Sequence, residues 1–400
     1  MIDAVVLGAG PAGLAASAAL AERGVEHLVL EGDRVGESWR AQRWDSFRLN
    51  TAGWMNSMLG GQDRDAYAGG REVVQRLERL AAGCPVRDGV PVARLAPARE
   101  HWAVATDDGE LLARAVVVAT GDQNRPRVPA LARRLPGRAA QLHAAGYRGP
   151  GQLPGGVVLV VGSAQSGCQI AEDLLAGGRR VVLATSPAGR VPFRYRGRET
   201  IEWLTEAGFM DQRPRDLPDP AAMRAAPPII APGYGLSLPA LARAGAILAG
   251  RPVAVEGERV AFDDSVAANV AAGDAFAARA RATIDELIRR RGLDAPPPEP
   301  DEHDAHVDLD PPAALDLRAE EVGTVVWCTG FTGDFSWLDP ALLGADGQPR
   351  HTDGAAPAPG LWYLGLRWLR RRCSAILLGF PGDAAWVAGA VKAHLGGRAG

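Results

Sequence analysis

The sequence predicts an α/β protein of two doubly wound parallel-sheet units, one inserted into the other. Three observations carry this. Val5-Val6-Leu7 runs into Gly8-Ala9-Gly10-Pro11-Ala12-Gly13. About 150 residues later, Val158-Leu159-Val160-Val161 runs into Gly162-Ser163-Ala164-Gln165-Ser166-Gly167. The third observation is a pair of similar strand ends, Ala119-Thr120-Gly121 and Cys328-Thr329-Gly330, each closing an apolar run. One glycine turn after a strand is a weak signal. Two of them, each with a strand before and a helix after, suggest two Rossmann-like units holding two dinucleotides.

The elements follow in order. Residues 2–7 form the first strand, Pro11 to Arg23 a small-residue helix and residues 25–31 the second strand. This is a βαβ unit of the expected ~30-residue length. Gly8 makes the tight turn, Gly10 lets the backbone approach a pyrophosphate, and Gly13 lets helix and strand pack closely. The helix opens at Pro11 and Ala12, where free N–H groups and the positive dipole end face the phosphates. Glu31 closes the second strand, where a carboxylate can accept hydrogen bonds from a ribose diol. A Trp- and Arg-rich stretch over 36–54 precedes a helix near 71–82 and a meander of strands over 90–118.

The second unit starts at Val157, passes through its glycine loop, and continues as a helix to about Leu175 and a strand over 180–184. Residues 213–232 are Pro-rich and read as irregular, 266–291 as an Ala-rich helix and 295–304 as a Pro/acidic linker. The chain returns to the first unit over 323–330, then closes with Gly360-Leu361-Trp362-Tyr363-Leu364-Gly365 and a helix from about Asp383. The expected domains are therefore 1–152 with 320–400 and, inserted between them, 153–319.

Composition narrows the function. With 400 residues, 47% hydrophobic and 23% charged, the chain can bury the cores of two domains. A net charge of −3 gives no reason to expect nucleic acid or an anionic membrane as partner. Cys84, Cys168, Cys328 and Cys373 show neither a CxxC nor metal-ligand spacing, so reduced thiols and no metal site are expected. No apolar run approaches the ~20 residues of a membrane helix. The first strand leaves no room for a signal peptide, and a cytoplasmic location is expected. At the end of the second strand of the inserted unit stand Leu183-Ala184-Thr185-Ser186, followed by Arg190, Arg194, Arg196 and Arg198. No carboxylate competes there, and Ser186 and Arg190 can meet a 2′-phosphate, which favours NADPH over NADH. The same arginines also read as an ordinary solvated loop.

On these residues the chain resembles the class B flavin-containing monooxygenases and their plant auxin-forming and bacterial relatives. GAGPAG with Glu31 looks like that family's FAD site, and Gly36-Glu37-Ser38-Trp39-Arg40 like its Gly-Gly-x-Trp segment beside the flavin. GSAQSG looks like its NADPH loop, with Ala164 in place of the middle glycine, so Gly162, Ser163, Gln165, Ser166 and Gly167 become coenzyme contacts. The two Thr-Gly ends look like its paired linkers. The fingerprint between the domains is degraded to Leu135-Pro136-Gly137 with His143 and Tyr147, and His143 reads equally as a satisfied linker histidine. The resemblance further implies Ser38, Trp39, Arg40, Val92, Ala119, Thr120, Gly121, Thr329, Gly330 and Gly365 at the cofactors.

In such a family NADPH reduces FAD, and reduced flavin adds dioxygen to give a peroxyflavin. Oxygen then passes to a small-molecule nucleophile, whether nitrogen, sulfur or an activated carbonyl. The cofactor carries the hard chemistry, so no catalytic triad or paired carboxylates are expected. Either Asn50 or Thr51 fills the place of the polar residue that steadies the oxygen adduct; Asn50 also reads as a turn former. Trp39, Trp44, Trp54, Trp362 and Trp368 either wall the pocket or belong to the core. Arg370, Arg371 and Arg372 either steer an anionic substrate or form a solvated face. Two alternatives stand beside oxygenation. One is a flavin oxidase or reductase that passes NADPH electrons to oxygen or another acceptor. The other is a non-catalytic dinucleotide sensor. The absence of CxxC disfavours a thioredoxin-reductase relay.

Overall fold

A computed structural model describes residues 1–61, 63–301 and 307–397. The linker expected over 295–304 falls partly outside these. The first unit begins with β1 (Ile2–Leu7), α1 (Pro11–Ala21) and β2 (His27–Leu30). β1 pairs in parallel with β2 on one side and with Gly109–Val118 on the other. The meander is confirmed as Val92–Ala98, His101–Thr106 and Gly109–Val118, joined antiparallel. Leu361–Tyr363 pairs in parallel with Gly109–Val118, returning the C-terminal segment to this sheet. β1 is buried along its last four residues because both faces are covered, which is why it reads as a continuous apolar run.

The inserted unit contains β3 (Val157–Val161), α2 (Gln165–Ala176) and β4 (Val181–Ala184). The Ala-rich segment forms one helix, α3 (Val266–Arg291), that ends at Gly292 with φ 60°. Such a left-handed stop costs a glycine little. β5 (Val322–Trp327) pairs in parallel with β3 and also with Ala140–His143. The five strands of this sheet are ordered 247–249, β4, β3, β5, 140–143. The expected boundaries of 153–319 are thus too narrow, since two strands of the second sheet lie outside them. Both pair with strands distant in sequence, so no local signal assigns them to this sheet.

The chain crosses between the units twice, and the crossings pair. Arg125–Pro126, just after Ala119-Thr120-Gly121, lies antiparallel to Phe331–Thr332, just after Cys328-Thr329-Gly330. Helix α4 (Phe380–Gly396) packs its buried Ala384, Val387, Ala388 and Val391 into the cluster that also holds α1. No described helix is long and apolar enough to cross a membrane.

Candidate active site

The two glycine loops are built alike. Gly8 has φ +102°, and a Cβ there would lie 2.8 Å from the Ala119 carbonyl oxygen. Gly162 has φ +101°, and its Cβ would lie 2.6 Å from the Cys328 carbonyl oxygen. A Cβ on Gly13 would meet the oxygen of Gly8 at 1.8 Å, and one on Gly167 would meet the oxygen of Gly162 at the same distance. Each first glycine therefore passes under a Thr-Gly linker, and each third glycine lets a helix rest on its own loop. The middle positions differ. Gly10 (φ −77°, ψ −176°) and Ala164 (φ −75°, ψ −169°) share an ordinary extended backbone that any residue adopts. Nothing lies within 4 Å of a Cβ on Gly10. The protein itself does not require glycine there, so the empty space is a cradle that a ligand can fill.

A cleft of about 640 Å³ runs between the units. From the first loop it is lined by Gly8, Gly10, Pro11 and Ala12, and from the end of β2 by Glu31. The Glu31 carboxylate accepts the Ala9 N–H at 2.6 Å and the Asp33 N–H at 3.1 Å, which fixes it beside the loop. Ser38, Trp39 and Val92 line the cleft, as do Ala119, Thr120, Gly121 and Gly365. Gly365 is needed for close approach: its Cβ would sit 2.8 Å from that of Ala12. Gln165 and Ser166, at the start of α2, bring the second loop to the same cleft. An elongated groove with a helix N-terminus, open space over Gly10 and an acidic residue at the end of β2 fits FAD.

Asn50 and Thr51 also line the cleft, and the structure separates their roles. The Thr51 hydroxyl donates to Oδ1 of Asn56 at 2.9 Å. Nδ2 of buried Asn56 donates back to the carbonyls of Thr51 and Ala52. The Asn50 amide has no such partner among the described residues. Asn56 was not legible as a contributor, because its role comes from a tight turn and not from any motif. Asp122 lines the cleft too, and burial raises its pKa against the opposing pull of Arg367.

Other expected contacts lie elsewhere. Arg40 turns away from the cleft to pair with Glu78 at 2.6 Å. Ser163 is fully buried, and its hydroxyl accepts the Ser186 N–H at 2.9 Å and donates to the Ser186 carbonyl at 3.1 Å. These two serines hold the loop to the end of β4 and leave the Ser163 hydroxyl engaged. Part of the Gln165 side chain is also occupied, since its amide exchanges two hydrogen bonds with the Ile230 backbone. Arg190 requires a correction. It is 3% exposed and ion-paired with Asp274 at 2.8 Å and Asp301 at 2.5 Å, so it does not face a 2′-phosphate. Arg196 and Arg198 are likewise paired, with Asp285 and with Glu202 and Glu206.

The linker residues act on one another. Arg127 N–H donates to the Gly330 carbonyl at 3.0 Å, and the Thr329 hydroxyl donates to the Arg127 carbonyl. His143 accepts the Ala145 N–H at Nδ1, so its Nε2–H donates to the Gly330 carbonyl at 2.9 Å. The Tyr147 hydroxyl is buried on Asp173 at 2.6 Å. His143 and Tyr147 are thus satisfied linker side chains. Arg370 and Arg371 both reach the fully buried Asp383. Arg372 lies between the rings of Phe209 (4.0 Å) and Trp368 (4.5 Å), and burial pulls its pKa down to about 10. Arg371 alone bridges the inserted segment to α4, pairing with Asp211 as well as Asp383, while Arg370 pairs with α4 and Arg372 holds to Gln212 and Phe209. Neither the steering nor the solvated-face reading describes them. Trp362 and Trp368 are core, Trp44 is equally buried but edges the cleft, and Trp39 lines it. No group of three His, Cys, Asp or Glu among the described residues could hold a metal.

Comparison with known proteins agrees with this geometry. Residues 5–194 match the pyridine nucleotide-disulphide oxidoreductase family model. Over 98% of this chain and 99% of the relative, the protein is 27% identical to an uncharacterized oxidoreductase, CzcO-like, of Geobacillus kaustophilus. It is 36% identical to indole-3-pyruvate monooxygenase YUCCA1 of Oryza sativa over 186 residues, covering 44% of this chain and 46% of that one. Among solved structures, a flavin-containing monooxygenase from Stenotrophomonas maltophilia superposes with TM-score 0.68 at 22% identity, covering 98% of each chain. The protein is accordingly an FAD- and NADPH-dependent oxidoreductase of the two-dinucleotide kind, similar to the flavin-containing monooxygenases.

Proposed function

We propose that this oxidoreductase is a monooxygenase, placing one atom of dioxygen on a small-molecule nucleophile. The observation that supports it best is the shared cleft: both nucleotide loops open on it, and it presents an unpaired amide, Asn50, beside an apolar wall. Flavin held in this cleft would supply the redox and oxygen-activating chemistry. The chain's own residues supply binding, orientation and dryness. The α1 N-terminus and the space over Gly10 receive the pyrophosphate. Glu31 takes the ribose. Trp39, Phe47, Leu377 and Phe380 line the cleft with apolar surface that excludes water. Asn50 offers an N–H donor to negative charge that develops in the cleft.

The second reading, an oxidase or reductase without oxygen transfer, shares every one of these binding features. Its disulfide-relay form is unsupported, because no cysteine lines the cleft. The two readings separate in one experiment. The holoprotein is reduced anaerobically with NADPH, mixed with oxygenated buffer and followed by stopped-flow absorbance. A near-ultraviolet transient that persists for seconds and shortens at least about a hundredfold in Asn50→Ala supports oxygenation, a loss in the range for a single oxyanion donor. Direct return to oxidised flavin with stoichiometric hydrogen peroxide would favour the oxidase.

A further inference from the structure

A second cavity, of about 490 Å³, adjoins the cofactor cleft and shares Trp39, Arg43 and Trp44 with it. Its charge is unusual for this protein. The chain carries a net −3, yet the cavity is lined by five arginines, Arg34, Arg40, Arg43, Arg71 and Arg148, against only Asp45 and Glu78. Three of the five are engaged. Arg34 pairs with Glu37, Arg40 pairs with Glu78, and Arg148 donates to the carbonyls of Ala41, Ala145 and Tyr147.

Arg43 and Arg71 have no carboxylate partner among the described residues. Arg71 stands exposed at the rim. Arg43 is partly buried at the neck between the two spaces. Its guanidinium lies over Trp39 at 4.8 Å and Phe47 at 5.4 Å, and its single hydrogen bond among the described residues is from Nη1 to the Gln42 carbonyl. Burial pulls its pKa down to about 10, and no neighbouring acid offsets that pull. A desolvated cation with most of its donors unused is costly unless an anion meets it. Stacking on aromatic rings leaves the guanidinium edge free, and that edge matches a planar carboxylate.

We propose that this cavity is an acid-recognition site, in which Arg43 and Arg71 hold the carboxylate of a small organic acid. The acid's apolar body rests along Trp39 and Trp44 toward the cofactor cleft. Calling that acid a substrate rests on the monooxygenase reading; its binding does not. Three features select a carboxylate over an inorganic anion: one free fork at Arg43, a net lining charge that is positive but dispersed, and two tryptophans in the same lining.

The test is equilibrium binding to the FAD-loaded protein, read by tryptophan fluorescence and by perturbation of the flavin spectrum, with no turnover. Benzoate is the probe, benzyl alcohol its neutral counterpart and inorganic phosphate the competing anion. Benzoate is expected to bind at least about tenfold more tightly than benzyl alcohol, and less so as salt rises. Arg43→Gln and Arg71→Gln each weaken benzoate at least about tenfold and leave benzyl alcohol unchanged. Equal binding of acid and alcohol, tighter binding of phosphate, or an Arg71→Gln protein that binds benzoate normally would each overturn the proposal. If Arg43→Gln purifies without flavin, Arg43 serves the cofactor and the assignment of that anchor is wrong; Arg71→Gln then tests the cavity alone. Because binding is read without oxygen, failure here is distinct from failure of the stopped-flow experiment.

Discussion

Replacing Arg190 with alanine discriminates most sharply between a coenzyme ligand and a structural ion pair. The guanidinium is 3% exposed and bridges Asp274 at 2.8 Å and Asp301 at 2.5 Å, the latter carboxylate 1% exposed. Truncation leaves the Asp301 carboxylate buried with Arg281, 24% exposed and 3.3 Å away, as a remaining cation. Removing one partner of a buried pair costs about 3–5 kcal/mol, and the surviving contact with Arg281 places this case near the lower figure, about 3 kcal/mol. For a unit of this size each kcal/mol shifts the melting temperature by about 2–4 °C, so a fall of about 6–12 °C is expected. The double variant Arg190→Ala/Asp301→Ala recovers part of that loss, since the stranded charge is gone. Thermal melts of the three proteins, with NADP⁺ titrations in parallel, decide the matter. A melting temperature within about 1 °C of wild type, together with an NADP⁺ Kd raised more than about tenfold, would refute the structural assignment and return Arg190 to the coenzyme.

Three further outcomes are expected. Gly13→Ala, whose Cβ would sit 1.8 Å from the Gly8 oxygen, yields poorly folded, flavin-free protein, whereas Gly10→Ala meets nothing within 4 Å. Gly10→Ala therefore melts like wild-type apoprotein and loses flavin affinity, and a normal flavin content after dialysis would contradict the cradle assignment. Among the thiols, Cys168, Cys328 and Cys373 are buried, with Cys328 pushed up to about 12 by burial, and only Cys84 is partly accessible. A thiol-reactive chromophore should label one group quickly in native protein and four after denaturation; fast labelling of two or more would contradict the packing. Burial lowers the pKa of His143 and His351 below the ordinary imidazole value of about 6.5, against partial opposition from the Gly330 carbonyl and Asp353. Below that pH the unfolded chain takes up protons that the folded chain refuses, so stability declines as pH falls and is unaffected above it. His143→Gln/His351→Gln should flatten the pH slope of urea midpoints between about pH 6.5 and 5; an unaltered slope would show that neither ring is held neutral.

What the sequence made legible was local. The turns at Gly8 and Gly162, the strand ends at Glu31 and Thr120 and the long helix stopping at Gly292 all follow from short-range rules of period and backbone freedom. The unread part was set by partners far along the chain. Arg190 is neutralised from 111 positions away. Arg370 and Arg371 converge on an aspartate in the first turn of α4. Asn56 fastens Thr51 across a kinked turn that has no motif of its own. An arginine has the same appearance in a sequence whether it awaits a phosphate or already holds a carboxylate. The charge count near a loop therefore overstated how much of it faces solvent.

The paired crossings have a mechanical consequence. Two chains that pass side by side between bodies, hydrogen-bonded as Arg125–Pro126 to Phe331–Thr332 and pinned at Gly330 by Arg127 and His143, form a ribbon and not a swivel. A ribbon twists readily about its long axis but resists sliding of one strand against the other. Any shift of one unit against the other therefore has to carry both crossings together, so the second glycine loop cannot move on one connection alone.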